Sequence, residues 1–174
     1  PNDIAPHSNK FAWWICSKCG YNYKAKISNR TSLNRGCPLC ANQIVVAGKN
    51  DLSTTHPELA LEWNYDKNGS LTPKTVSYGS GKKVWWKCDK GHNYESNIAI
   101  HVKGAGCPYC AHQKVLSGEN DLATLYPDIA KEWDYKKNSL KPSEILPHSN
   151  KKFFWICSNG HSYECSPNAR LRID

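Results

Sequence analysis

The sequence predicts a small α+β fold that is held together by metal and repeated in tandem, each unit built of a β-hairpin, two knuckles and a short helix. Three observations predict it. Cysteines and a histidine recur in matched pairs, Cys16-x-x-Cys19 with Cys37-x-x-Cys40, and Cys88-x-x-x-His92 with Cys107-x-x-Cys110. Two such pairs, separated by enough chain for a hairpin, supply the four donors of a closed tetrahedral Zn2+ site. The surrounding text also repeats: Asn50-Asp51-Leu52 returns as Asn120-Asp121-Leu122, Glu62-Trp63 as Glu132-Trp133, and Pro6-His7-Ser8-Asn9-Lys10 as Pro147-His148-Ser149-Asn150-Lys151. Self-similarity at a period of about 70 residues marks a repeat architecture. Finally, units of about 40 to 60 residues bury too little surface to fold unaided, so bound metal supplies the missing stabilisation.

The period divides the chain into a first zinc ribbon over 1–48, a helical connector over 49–72, a second ribbon over 73–117, a second connector over 118–141 and a truncated third ribbon over 142–174. A third pair, Cys157-x-x-x-His161, opens a site in the same way but meets no closing cysteine pair before Asp174. Two complete Zn2+ sites and one incomplete site are therefore expected. Both ends are expected to be cuts in a longer array, because the chain starts without Met inside a repeat and stops about two residues before the next Cys-Pro-x-Cys is due.

Within each ribbon the segments 11–16, 82–88 and 151–157 are rich in Trp, Phe and Val and lead into the first ligand, as strands do. Gly20, Gly91 and Gly160 follow where a knuckle must reverse the chain. The second ligand precedes that glycine in the first unit and follows it in the others. A second strand is expected through Tyr23, Tyr94 and Tyr163. In the connectors, Pro57 and Pro127 suit the first turn of a helix, with Glu58 or Asp128 near its positive end. Leu59 and Trp63, like Ile129 and Trp133, are four apart and would share one helix face. Cys165 aligns with Ala25 and Ser96 and reads as a buried small side chain unless it helps the third site.

Zinc-bound thiolates change the charge balance. A site of four cysteines carries a net −2 with its Zn2+, and one of three cysteines and a histidine carries −1, which lowers the formal +8 of the chain to +5. The remaining basicity favours anionic partners. No run approaches the length of a membrane span. Paired metal ligands and the lack of an apolar leader point to a reducing compartment, the cytoplasm, rather than to a secreted disulfide scaffold. No paired carboxylates, nucleophile with base or phosphate-cradling loop is evident, and four protein donors leave no open position on a metal, so the chain is not expected to be an enzyme.

The phrases Asn120-Asp121-Leu122-Ala123-Thr124, Glu132-Trp133-Asp134-Tyr135, Trp85-Trp86-Lys87-Cys88 and Gly106-Cys107-Pro108-Tyr109-Cys110 resemble the tandem "probable zinc-ribbon" family of bacteria and their mobile elements. The resemblance runs over essentially the whole chain. It implies treble-clef-like ribbons, often attached to endonucleases similar to those of very-short-patch repair, with a nucleic-acid role. The first unit departs from the family pattern in placing Cys19 at the usual histidine position.

Two surfaces are candidates for nucleic acid. Alternate side chains of a strand face opposite ways, and the faces through Trp14, Trp86 and Trp155 are apolar in every unit and read as core. The opposite face presents Lys83, Trp85 and Lys87 in the second unit, a cation-aromatic-cation strip suited to phosphate contact and base stacking. The other reading packs Trp85 on a connector helix and leaves the lysines solvated. The second surface is the loop between knuckles, where Arg30, His101 and Arg170 share one repeat position with Arg35, Lys103 and Arg172 nearby. A cation repeated at one site suggests regularly spaced backbone contacts, while a solvated loop that resists aggregation is the alternative. The expected function is a zinc-ribbon array that binds nucleic acid, duplex DNA above all, as the targeting module of a larger protein that includes a nuclease domain. A docking or spacer module with structural zinc is the rival reading.

Overall fold

In the computed structural model, which describes residues 5–172, three antiparallel hairpins carry the repeats. β1 (Phe11–Ile15) pairs with β2 (Asn22–Lys26), β3 (Lys83–Lys87) with β4 (Asn93–Asn97), and β5 (Phe153–Ile156) with β6 (Ser162–Cys165). The knuckle glycines Gly20, Gly91 and Gly160 take φ of 69°, 85° and 83°, a left-handed conformation that a side chain disfavours. The chain divides into two compact units, one ending at Ala105 and the other beginning at Gly106.

One helical turn follows each hairpin: α1 (Ile27–Thr31), α5 (Ile98–Val102) and α8 (Pro167–Arg170). These turns lie where the sequence predicted loops, because four or five residues are too few to show helical periodicity. Asn97 and Ser166 cap two of them, accepting from the N–H of Ala99 at 3.0 Å and of Ala169 at 3.3 Å, as N-cap side chains do.

The connectors contain α2 (Leu52–Thr55), α3 (Pro57–Leu61) and α4 (Tyr65–Asn68), then α6 (Leu122–Leu125) and α7 (Pro127–Ala130). The Asn-Asp-Leu phrase starts each connector, and every residue in it has a separate task. Asn50 accepts from Val46 N–H at 2.8 Å and donates to the Ile44 carbonyl at 2.8 Å. Asn120 likewise accepts from Leu116 N–H at 2.6 Å and donates to the carbonyls of Tyr109 and Lys114, both at 3.0 Å. Asp51 and Asp121, fully buried, accept from the N–H of Thr54 and Thr124 at the start of their helices, and from Gly48 and Gly118 N–H at 2.6 Å. Leu52 and Leu122 are fully buried, and their N–H groups donate to Val76 and Ile145 carbonyls at 2.8 Å.

Trp63 and Trp133 do not continue the helices before them, as the four-residue spacing had suggested. α3 ends at Leu61 and α7 at Ala130, and each Trp instead forms an isolated antiparallel bridge to a ribbon strand, Trp63 to Trp86 and Trp133 to Trp155. Lys87 N–H donates to the Glu62 carbonyl at 2.7 Å and Asn64 N–H to the Trp85 carbonyl at 3.2 Å. Ile156 N–H donates to Glu132 at 2.6 Å and Asp134 N–H to Phe154 at 3.1 Å. The connector thus adds a third rung to the hairpin that follows it. The indoles meet edge to face, 5.4 Å apart for Trp63 and Trp86 and 5.0 Å for Trp133 and Trp155, an arrangement worth about 0.5–1.5 kcal/mol beyond burial. Leu122, Trp133, Ile145, Phe153 and Trp155 form the core of the second unit. Among the described residues, no helix is long and apolar enough to cross a membrane.

Candidate metal centre

Cys16 and Cys19 leave β1 through its knuckle, while Cys37 and Cys40 flank the Pro38-Leu39 turn. Their four sulfurs lie within 4.8 Å of one another, with Cys16 Sγ 3.7 Å from Cys40 Sγ and Cys19 Sγ 3.8 Å from Cys37 Sγ. A tetrahedron with Zn–S bonds of about 2.3 Å has edges of about 3.8 Å. A disulfide needs sulfurs about 2.05 Å apart, and none of the nine cysteines is disulfide-bonded. The donor set, four thiolates, fits Zn2+.

The charges in the cluster favour a cation. Backbone N–H groups of Cys19 and Lys18 hold the Cys16 thiol down at about 6, so one thiolate forms readily. Hydrogen bonds with Cys19 and Cys16 push Cys40 up to about 12. Four sulfurs this close resist taking on further negative charge unless a divalent ion neutralises it.

Cys88, His92, Cys107 and Cys110 gather in the same way, with one ligand atom from each inside the same 4.8 Å limit, and fit Zn2+ through three thiolates and an imidazole. Each site offers four strong protein donors, the full tetrahedral set that a Zn2+ ion would take. The asparagines found at the connectors support these centres from outside. Asn120 holds the carbonyl of Tyr109, inside the closing knuckle, and Asn50 that of Leu39 at 3.4 Å. No third or fourth donor joins Cys157 and His161 among the described residues. Cys165, half-buried rather than buried, packs at the edge of the Trp133 core and donates to the Ser166 carbonyl at 3.5 Å.

At the repeated cation position, His101 is buried and Arg30 and Arg170 are half-buried. His101 is 4% exposed, its ring is 4.0 Å from that of Trp86, its Nδ1 is 2.7 Å from the Ala105 carbonyl, and its Nε2 is 3.1 Å from Glu62 Oε2. Arg170 donates from Nε and Nη2 to the two carboxylate oxygens of Glu132, at 2.9 and 2.7 Å. Arg30 lies over the Trp14 ring at 5.4 Å and donates to the Arg35 carbonyl at 2.6 Å. His101 and Arg170 thereby tie their ribbons to a connector, while Arg30 meets groups of its own ribbon. Arg35, Lys103 and Arg172 remain exposed.

On the outer strand face, Lys83 and Lys87 are exposed and Trp85 is half-buried, as alternation required, while Trp86 carries the packing on Trp63. Lys83 is tied to Glu95 at 3.0 Å, and Lys67 sits 4.1 Å from the centre of the Trp85 ring. The first hairpin offers a stronger version of this strip, which its leading strand alone does not reveal. There Phe11 and Trp13 are 58% and 73% exposed and lie opposite Lys26 and Lys24. From Ala5 to Lys49 the sequence carries seven lysines and arginines and no aspartate or glutamate.

Comparison with curated proteins returns no match. The family described as "Probable Treble clef zinc finger domain" matches residues 1–43, 59–113 and 129–173, three successive copies that together cover most of the chain. With its knuckle cysteines, hairpins and short helices in that order, the chain belongs to this treble clef zinc finger family.

Proposed function

We propose that this zinc-finger array binds nucleic acid without catalysing a reaction, engaging duplex DNA mainly through its phosphates. The observation that carries the reading is the run from Ala5 to Lys49, which carries seven lysines and arginines and no aspartate or glutamate. Lys24 and Lys26 stand on the outer face of its hairpin, with Nζ atoms 5.8 and 5.9 Å from the centre of the Phe11 ring and with exposed Trp13 beside them. The net −2 of a zinc–tetrathiolate cluster would offset part of the positive charge there, but no aspartate or glutamate between Ala5 and Lys49 does. Lysines on such a face attract the phosphate backbone, and an exposed aromatic ring provides a stacking surface for a base or sugar. Exposed Lys87 of the second ribbon and Arg35, Lys103 and Arg172 extend the set of cations open to an anionic partner. In this role the array supplies targeting, and chemistry belongs to a nuclease domain acting with it.

The test is a titration of fluorescently labelled duplex against the zinc-loaded chain at two salt concentrations. Binding should weaken steeply with salt, and Lys24→Glu with Lys26→Glu should lower affinity at least tenfold and flatten the salt slope. Affinity that ignores both salt and these two lysines would contradict the reading.

A further inference from the structure

The segment that leaves a closing knuckle meets the segment that enters the next ribbon twice in this chain, and the backbone bonds there are the same each time. Leu52 N–H donates to the Val76 carbonyl and Leu122 N–H to that of Ile145, both at 2.8 Å; Ser80 N–H donates to Ser77 at 3.0 Å and Ser149 N–H to Leu146 at 3.1 Å. Asn42 and His112 leave their knuckles with φ of 52° and 50°, and their N–H groups donate to the carbonyls of Leu39 and Tyr109, both at 3.1 Å. Residue by residue, Tyr78 therefore matches Pro147, Gly79 matches His148 and Asn42 matches His112. His56, ahead of Pro57, matches Tyr126, ahead of Pro127.

The side chains differ where the backbone does not. In the first junction the Tyr78 ring lies 5.5 Å from the His56 ring, and its hydroxyl accepts from Asn42 Nδ2 at 3.1 Å. In the second, Pro147 brings no such ring, and it lines a cleft of about 370 Å³ together with His112. That volume falls in the range of small-ligand clefts. Val115 and Leu146 give the cleft apolar walls, and His148 and Lys151 add polar groups. The one acid among its described lining residues, Glu144, accepts from Lys141 N–H at 2.8 Å. Tyr126, at the His56 position, is 36% exposed. The whole cleft belongs to the second compact unit.

A ring from outside can take in the second junction the place that Tyr78 takes in the first. The surroundings ask for a flat ring with a polar edge and an attached anion. Apolar walls suit the ring, His112 suits its edge as Asn42 suits the Tyr78 hydroxyl, and the Lys151 ammonium suits the anion. A nucleotide combines all three. We propose that this cleft takes an unpaired base of a bound nucleic acid, seated beside Tyr126 with its phosphate toward Lys151. The proposal rests on the nucleic-acid reading above and deepens it: phosphate contacts along the array supply affinity, and the cleft supplies a preference for duplex that carries an unpaired base.

The probes are deoxyadenosine monophosphate and a labelled duplex with one bulged adenosine, compared with the fully paired duplex, each titrated into the zinc-loaded full chain. The mononucleotide should shift the His112 and His148 amides in NMR spectra. The bulged duplex should bind tighter than the paired one by about fivefold or more, the contribution of one stacked base. Pro147→Tyr supplies the ring that the first junction already holds, so it should abolish both effects and leave affinity for the paired duplex as it was. Lys151→Glu, at an exposed position that leaves the packing alone, should weaken mononucleotide binding by about fivefold or more. Lys24→Glu with Lys26→Glu should lower affinity for both duplexes alike and leave the mononucleotide shifts in place, so this proposal and the reading it rests on fail separately. A bulge that gains nothing, a gain that survives removal of the bulged base, or shifts that persist in both cleft variants would overturn the proposal. So would binding of N-acetyltyrosine amide in place of the mononucleotide, which would give the cleft to a protein side chain.

Discussion

Arg170 grips Glu132 with two hydrogen bonds, at 2.9 and 2.7 Å, and so fastens the last helical turn of the third ribbon to the connector that precedes it. The Arg170 side chain is 13% exposed and that of Glu132 30%. A half-buried, two-pronged pair of this kind is stronger than an ordinary surface ion pair.

Replacing Arg170 with Ala should therefore lower stability by about 1.5–3 kcal/mol, the range for hydrogen bonds to charged groups. Denaturant unfolding of single and double variants checks this: Arg170→Ala combined with Glu132→Ala should cost clearly less than the sum of the two. Arg170 holds the Glu132 carboxyl below the usual carboxylate range. A depressed folded value means the stabilisation is complete above the unfolded pKa of about 4.3 and is lost as pH falls through the folded value. Arg170→Ala should remove that part of the acid sensitivity.

Asp51 predicts a second acid transition. Burial by itself would raise its pKa, but hydrogen bonds from Ser53, Thr54 and Gly48 outweigh burial and hold it at about 2. Its contribution should be full above pH of about 4, the ordinary aspartate value, and fade as pH drops toward 2. Asp51→Ala should cost about 1–3 kcal/mol at neutral pH, through the lost helix cap and the donors left unpaired, as measured by urea unfolding.

Asn120 should matter to metal affinity although it touches no metal. It holds the closing knuckle through the carbonyls of Tyr109 and Lys114, and supports of this kind are worth about 10- to 100-fold in affinity. Competition against a chromophoric chelator should show Asn120→Ala losing one of its two zinc ions at lower chelator concentration, with the other unchanged.

Much of this architecture is legible in the sequence because metal ligation is local. Cys16, Cys19, Cys37 and Cys40 declare their site by spacing, and Trp86 and Trp155 declare the inner strand face by alternation. What spacing does not convey is long-range pairing. Arg170 and Glu132 are 38 residues apart, so a cation repeated at one position reads equally well as a surface contact or as half of an internal ion pair. Trp63 and Trp133 mislead for a related reason: a four-residue offset from Leu59 and Ile129 fits a helix, but the backbone on either side of each Trp pairs instead with the edge of the following hairpin. The aromatic and basic face of the first hairpin becomes visible only once β2 is placed opposite β1.

The most direct test of the account is the zinc content of the purified, zinc-loaded chain and of its Cys107→Ser variant, measured by mass spectrometry under native conditions. Two zinc ions per chain, falling to one in the variant with loss of the second ribbon's fold, is the predicted result. A chain that retains no zinc, or a variant that still holds two, would contradict the assignment of Cys16, Cys19, Cys37 and Cys40, and of Cys88, His92, Cys107 and Cys110, as closed metal centres.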